Sequence, residues 1–179
     1  MSYPLTESNT KTFYENGANL TVTAAVEDVI ENSVERSYDV TAAEDVITRF
    51  LKGGDGAPGV IGYDILRGDW SHPGSVRIVK FDNGLEAREE VVALIRPNYF
   101  AYQLSDLTGP LGDVVEFAFA EFVFTPVGSR TKVRWTYTFR PKDGQLDAVQ
   151  AFISDVWVAW MQGYIDTLKN AIKRDPFGA

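Results

Sequence analysis

Between residues 60 and 140 the apolar positions of this chain alternate with polar ones at a period of two. Six segments carry the pattern: VIGYDILRGDW, SVRIVKF, LEAREEVVALI, YFAYQLSDL, VVEFAFAEFVF and TKVRWTYTFR. Such alternation predicts strands that bury one face. The last segment is the clearest, with Val133, Trp135, Tyr137 and Phe139 on one face and Lys132, Arg134, Thr136 and Thr138 on the other. Turn signals separate the six: His72-Pro73-Gly74, Asn83-Gly84, Arg96-Pro97-Asn98, Thr108-Gly109-Pro110 and Pro126-Val127-Gly128. Connections this short imply antiparallel neighbours, because parallel pairing needs a crossover of a dozen residues or more.

After the strands the period lengthens. Val149, Ile153, Trp157, Trp160, Met161, Tyr164, Leu168 and Ile172 recur at steps of three and four, which predicts one long helix. Asp143 is placed to cap its start, Lys169, Lys173 and Arg174 suit its C-terminal end, and Pro176 stops it. A helix of roughly 30 residues is about 45 Å long, so its aromatic face must lie across a sheet. Upstream of the strands, IENSVERSYDV reads as a strand with Ile30, Val34, Tyr38 and Val40 on one side. TAAEDVITRFL then reads as a short helix with Thr41 as N-cap and Glu44 completing a capping box, and KGGDGAPG as a loop. Residues 1–25 are polar and weakly patterned, an N-terminal arm that either folds onto the body or stays mobile. The expectation is an α+β chain, β-α(-α)-β6-α, with a single domain over residues 26–179. In it a curved antiparallel sheet of about seven strands wraps a long C-terminal helix.

Composition narrows the function. The chain has 179 residues, a net charge of −8 and no cysteine. The acidic balance argues against nucleic acid as a partner, since phosphate binding needs a basic surface. Lack of cysteine rules out disulfides and thiolate chemistry and fits a reducing cytoplasm. No apolar run reaches the roughly 18 residues that would span a membrane, and the polar start lacks a secretory pattern. The sequon at Asn19-Leu20-Thr21 therefore carries no weight.

Four features invite a chemical reading. GDGAPG, Gly54 to Gly59, matches G-x-G-x-x-G, but it follows a helix and precedes a strand, the reverse of a dinucleotide site. No cofactor is implied, and the segment reads as a loop at a pocket entrance. His72, the only histidine, has Asp69 nearby but no further partners for catalysis or metal binding, so it reads as a surface loop residue. A two-residue Asn83-Gly84 turn would set Arg77 directly opposite Glu90, either an exposed ion pair or the polar anchor of a pocket. Finally, Tyr102, Trp135, Tyr137, Trp157, Trp160 and Tyr164 either line a cavity between sheet and helix or fill the core. VVEFAFAEFVF is apolar on both faces. Its outer residues Phe117, Phe119 and Val123 suggest a contact between two copies of the chain, a homodimer, or cover from the arm.

With these residues in place, the chain from about Val34 onward resembles the helix-grip superfamily, often called SRPBCC. That superfamily includes START-related lipid carriers, pollen-allergen-like ligand binders and polyketide cyclases and dehydratases. The resemblance rests on YDVTAAEDVITRFL, on GSVRIVKFDNG running into EEVVALIRPNYFAYQL, and on TGPLGDVVEFAFAEFVFTPVGSRTKVRWTYTFRP before the long helix. The last stretch is close to the cyclase-like branch. The chain departs from the family in carrying Val46-Ile47 where members often have a tryptophan after the valine. The resemblance implies a deep, mostly apolar cavity between sheet and helix, gated by the short helices and the loop at Gly53–Gly59. It also implies a small apolar partner such as a lipid, isoprenoid or polyketide. Arg77, Glu90 and the aromatic set are the residues it offers for binding, with no recognisable catalytic constellation and no metal set. Binding ranks first, a cyclase- or dehydratase-like enzyme second and a protein-interaction module third. A binder should have all its buried polar groups structurally partnered, whereas an enzyme should hold an unpaired, poised Arg77 or pocket carboxylate.

Overall fold

A computed structural model of the chain describes residues 10–15, 19–54 and 56–174. Two strands open it, β1 (Thr10–Glu15) and β2 (Asn19–Ile30), followed by short helices α1 (Val34–Thr41) and α2 (Val46–Phe50). Next come β3 (Val60–Arg67), β4 (Val76–Phe81), β5 (Glu86–Ile95) and β6 (Tyr99–Ser105), then α3 (Gly109–Val114), β7 (Val115–Val127) and β8 (Arg130–Pro141). The chain closes with α4 (Leu146–Phe152), a π-helical turn (Ile153–Trp157) and α5 (Val158–Arg174). The backbone stays helical through both junctions, so these last three form one continuous helix.

All eight strands form a single antiparallel sheet in the order β1-β2-β8-β7-β6-β5-β4-β3. The six strands expected after residue 60 are all present. Bulges between Val60 and Gly62, Ile65 and Arg67, Val91 and Ala93, and Val115 and Phe117 bend the sheet. The long helix crosses its concave face, burying Val149, Ile153, Met161, Ile165 and Leu168 completely. Val133, Trp135, Tyr137 and Phe139 meet it from β8, as the alternation requires. This is the helix-grip fold. No helix among the described residues is long and apolar enough to cross a membrane.

Three local expectations are corrected. The segment read as a first strand, Ile30 to Val40, is the end of β2 and helix α1. Ser33 caps α1 by accepting a hydrogen bond from the Arg36 amide, and the buried face is Ser37, Tyr38, Val40 and Thr41. Thr41 is consequently the last residue of α1 rather than an N-cap. Its hydroxyl donates to the Ser37 carbonyl, and Asp45 takes the N-cap position of α2. The long helix starts at Leu146 with Gln145 before it, so Asp143 does not cap it. Of the stretch read as an N-terminal arm, Asn19 to Ala25 is the first half of β2, paired to β8 from Val22↔Phe139 onward. Residues 1–9 of that arm, Asp55 of the glycine-rich loop and Pro176 lie outside the described residues.

Candidate functional site

The hairpin joining β4 and β5 sets the polar geometry. Its turn is one residue longer than the sequence suggested, because Phe81 pairs with Leu85 around Asp82-Asn83-Gly84. Gly84 takes a left-handed φ of 80° that closes the loop. A shift of one residue changes every cross-strand partner. Arg77 therefore lies opposite Glu89, and Glu90 lies opposite Val76. Glu90 sits half-buried on the other face, bonded to Arg88 at 2.8 Å and near Arg67 at 3.5 Å. The expected Arg77–Glu90 pair does not form.

Arg77 is instead the centre of a buried cross-brace. Its Nε donates to Glu89 Oε2 at 2.7 Å, and Nη1 donates to the Glu44 carbonyl. Its guanidinium stacks 3.6 Å from the centroid of the Trp70 ring and 5.3 Å from that of Tyr63. Both partners of the ion pair are buried, Arg77 with 2% and Glu89 with 6% of its surface exposed. Glu44 also accepts a hydrogen bond from the Tyr63 hydroxyl at 2.9 Å. One guanidinium thus ties β3, β4, β5, the α1–α2 link and the loop carrying Trp70 together.

Deeper, between sheet and helix, aromatic rings fill the space. Phe122 and Trp135 stack with centroids 4.9 Å apart, Trp135 meets Tyr164 at 4.9 Å, and Tyr137 meets Trp157 edge-on at 5.3 Å. The hydroxyls of Tyr102 and Tyr137 share a hydrogen bond of 2.8 Å. Burial pushes both phenols well above the ordinary range, and the Glu89 carboxylate adds to the effect. Burial raises Tyr164 as well, against the opposing pull of Arg77. At neutral pH all three are neutral hydrogen-bonding groups. Only a ≈ 10 Å³ void remains here, bounded by Arg77, Tyr102, Trp135 and Tyr164 among others. That is about the space of one water molecule.

Apolar open space lies toward one end of the fold. A cavity of ≈ 220 Å³ is walled by Phe81 and Leu85 of the hairpin, Leu104 at the end of β6, Leu107 and Leu111 around α3, and Phe152, Trp157 and Trp160 of the long helix. Gly56, Ala57 and Pro58 of the glycine-rich loop close its side, which makes that segment part of the pocket wall. Trp157 stands between this cavity and the tyrosine pair, touching Tyr137 on one side and Trp160 at 4.5 Å on the other. The indole N–H groups of Trp157 and Trp160 are buried without a hydrogen-bond partner. The π-helical turn at Ile153–Trp157 sits in this wall, where it sets the direction in which Trp157 projects.

Of the eight sequence-derived site residues, Trp157 and Trp160 line the cavity. Arg77, Tyr102, Trp135, Tyr137 and Tyr164 form the packed interior behind it, and Glu90 lies outside. Sequence reasoning missed Glu89, Trp70 and the apolar wall from Phe81 to Leu111. The wall residues come from short turns and strand ends, where two-residue periodicity carries no signal. His72 is exposed in a loop, with Nδ1 2.7 Å from Ser71 Oγ and 3.2 Å from Asp69 Oδ1. The Ser71 hydroxyl and amide, with His72, lower Asp69 to about 2. Because both neighbours engage the same ring nitrogen, the three do not form a relay in which one nitrogen is oriented while the other accepts a proton.

Comparison with known proteins agrees with this architecture. A family model described as "Polyketide cyclase / dehydrase and lipid transport" matches residues 29–174. A point mutant of norcoclaurine synthase from Thalictrum flavum, solved in complex with a transition-state analogue, superposes with a TM-score of 0.70 at 14% identity, covering 89% of this chain and 98% of that one. Major latex-like protein 151 from Panax ginseng superposes with a TM-score of 0.66 at 13% identity, covering 84% of this chain and 97% of that one. At such identities the likeness is one of fold. No curated protein matches the chain in sequence.

Proposed function

Because the chain belongs to the polyketide cyclase / dehydrase and lipid transport family, we propose that it binds a small, mostly apolar molecule in the cavity between the β4–β5 hairpin, α3 and the long helix. One observation carries this reading. The interior polar groups that could serve catalysis are engaged with each other, Arg77 with Glu89, Glu44 and Trp70, and Tyr102 with Tyr137, while an apolar cavity stands open beside them. A carrier needs a container and a stable wall, and both are here.

Cavity size limits the occupant. An engineered cavity of about 150 Å³ lined by aliphatic and phenyl side chains takes benzene, so ≈ 220 Å³ suits one ring with a short chain. A longer lipid or polyketide requires the α3 segment or Trp157 to move. Burying such a ring yields roughly 25 cal/mol for each Å² of apolar surface removed from water.

A second reading, an enzyme of the cyclase or dehydratase kind, is favoured by one feature. Behind Trp157 stand two neutral phenols, Tyr102 and Tyr137, able to donate a hydrogen bond to a developing oxyanion. This reading needs a ligand to displace Trp157 and reach them.

The test is native mass spectrometry of the purified protein followed by titration with 2-phenylethanol, read by tryptophan fluorescence, for the parent and Leu107→Trp. Binding by the parent and loss of at least about tenfold in affinity on filling the cavity are expected. Equal affinity in the two proteins overturns the assignment of the cavity.

A further inference from the structure

Trp160 walls two spaces at once. On one side lies the apolar cavity of ≈ 220 Å³. On the other lies a cleft of ≈ 190 Å³ between residues 50–54 and the part of α5 that carries Gly163, Tyr164 and Thr167. Among the described residues no other lines both. The glycine-rich loop spans the pair, with Gly53 and Gly54 on the cleft and Gly56, Ala57 and Pro58 on the cavity. That loop is held at its neck and near its tip. A Cβ on Gly59 would lie 2.5 Å from the Gly53 amide nitrogen, and the Gly59 amide donates to Asp82 Oδ2 at 3.1 Å. Gly54 and Ala57 exchange two backbone hydrogen bonds of 3.0 Å. The Trp160 ring is tied less firmly. It packs on Trp157 at 4.5 Å and on Trp135 at 6.1 Å, and its indole N–H has no hydrogen-bond partner. Turning the ring costs packing contacts but breaks no hydrogen bond.

Gly163 is an independent observation at the same place. It stands inside α5, where glycine is the poorest helix former after proline. Neither backbone nor packing requires it. Its φ is not left-handed, and apart from the helix's own backbone a Cβ there would meet no heavy atom within 4 Å. A helical side chain leans back over the turn before it, so a larger residue at 163 would lie toward Trp160, three positions earlier, and narrow the cleft. What glycine leaves is room beside Trp160, in a cleft open to water at the exposed Gly163 and Thr167.

We propose that Trp160 is a movable partition between two halves of one binding site, and that the site takes arylalkyl amphiphiles. The inference rests on the cavity reading and adds the shape and class of the occupant. The ring seats in the cavity, an unbranched chain passes Trp160 along the cleft, and the polar end stays in water beside Gly163 and Thr167. From Trp160 to Thr167 the helix advances about 10 Å, the reach of a chain of roughly six to eight carbons.

Two probes with the same ring and hydroxyl, 2-phenylethanol and 6-phenylhexan-1-ol, test this by calorimetry at pH 7 on the full chain. Each methylene taken out of water is worth about fourfold in affinity, so the parent should hold the long probe at least about tenfold tighter. In Gly163→Leu, which fills the cleft and lies against Trp160, that advantage should shrink to about threefold or less. Gly163→Ala, too short to reach Trp160, should keep it. The readout is the ratio of the two affinities, which a general gain in helix stability does not move. An unchanged ratio in Gly163→Leu, with native circular dichroism, means that the chain runs elsewhere and overturns the proposal. Equal binding of both probes by the parent overturns it too, as does loss of the advantage in Gly163→Ala. In each of these cases, binding of 2-phenylethanol leaves the cavity reading standing. Failure of both probes to bind the folded parent overturns both.

Discussion

Arg77 shows how a single charged side chain can be structural while sitting where a catalytic group would be expected. It is buried, doubly bonded to one carboxylate oxygen, capped by a carbonyl and sandwiched by indole. Breaking such a pair is far more damaging than never having made it, because the surviving partner stays charged in a poorly solvated place. Arg77→Met alone is expected to cost about 3–5 kcal/mol, read as a lowered urea midpoint at constant slope. The double variant Arg77→Met/Glu89→Leu should recover most of that loss. A catalytic or ligand-binding Arg77 would behave otherwise, with Arg77→Met losing function at little cost to the midpoint. Glu90, half-buried between Arg88 and Arg67, should tolerate Gln within about 1 kcal/mol.

At the level of elements, β4 to β8 and the long helix were readable from sequence because each buries one face and repeats its pattern over many residues, whereas β3, in which Val60 is the one buried residue, was readable from the turn signals around it. The failures have local physical causes. Helix α1 buries Ser37 and Thr41, small polar residues that a hydrophobic pattern counts as exposed, so its helical period was hidden. β2 hides in the same way, since the inward Ala24 between Val22 and Val26 is too small to stand out. The hairpin register turned on a single residue of loop length, and Asn-Gly favours both a two-residue turn and a longer one with Gly84 at the left-handed position. That one residue separated Glu89 from Glu90, and with it the true brace from the expected one. Turn chemistry also governs the cavity mouth. A Cβ on Gly112 would lie 1.7 Å from the Leu107 carbonyl oxygen, a backbone atom that cannot yield without opening the turn into α3. Gly112→Ala should therefore loosen residues 107–114 while leaving the sheet intact. Amide exchange in that segment should accelerate, and probe affinity should fall by roughly tenfold. Unchanged exchange there would mean that the mouth is not held by this close approach.

For the molecule as a whole, the stability of the grip is linked to pH through its buried phenols. The aromatic interior was legible in outline, because the alternation of β8 and the helical spacing of Trp157, Trp160 and Tyr164 all pointed to one shared face. Sequence could not show that most of these rings would fill space rather than enclose it, since that depends on how far the sheet closes on the helix. Burial raises Tyr102, Tyr137 and Tyr164 above the value they have in the unfolded chain, where tyrosine ionises near pH 10. A group whose folded pKa is raised stabilises the fold fully below its unfolded pKa, and loses that contribution as pH climbs through it toward the folded value. Unfolding free energy should thus be insensitive to these phenols between pH 7 and 9. Above pH 10 it should fall by up to about 1.4 kcal/mol per pH unit for each of them. Tyr99, pushed up to about 12 first by partial burial and then by its bond to Glu121, adds a smaller share because it is half-exposed. Absorbance at 295 nm followed together with near-ultraviolet circular dichroism checks this. The half-buried Tyr63 should ionise while the dichroism is still native, and Tyr102, Tyr137 and Tyr164 only as it collapses. Tyr102→Phe/Tyr137→Phe should flatten the alkaline slope, since two of the most deeply buried linked protons are gone. Complete tyrosine ionisation near pH 10 with native dichroism would mean that water already reaches the space between sheet and helix, and that the grip encloses a wet cavity rather than a packed one.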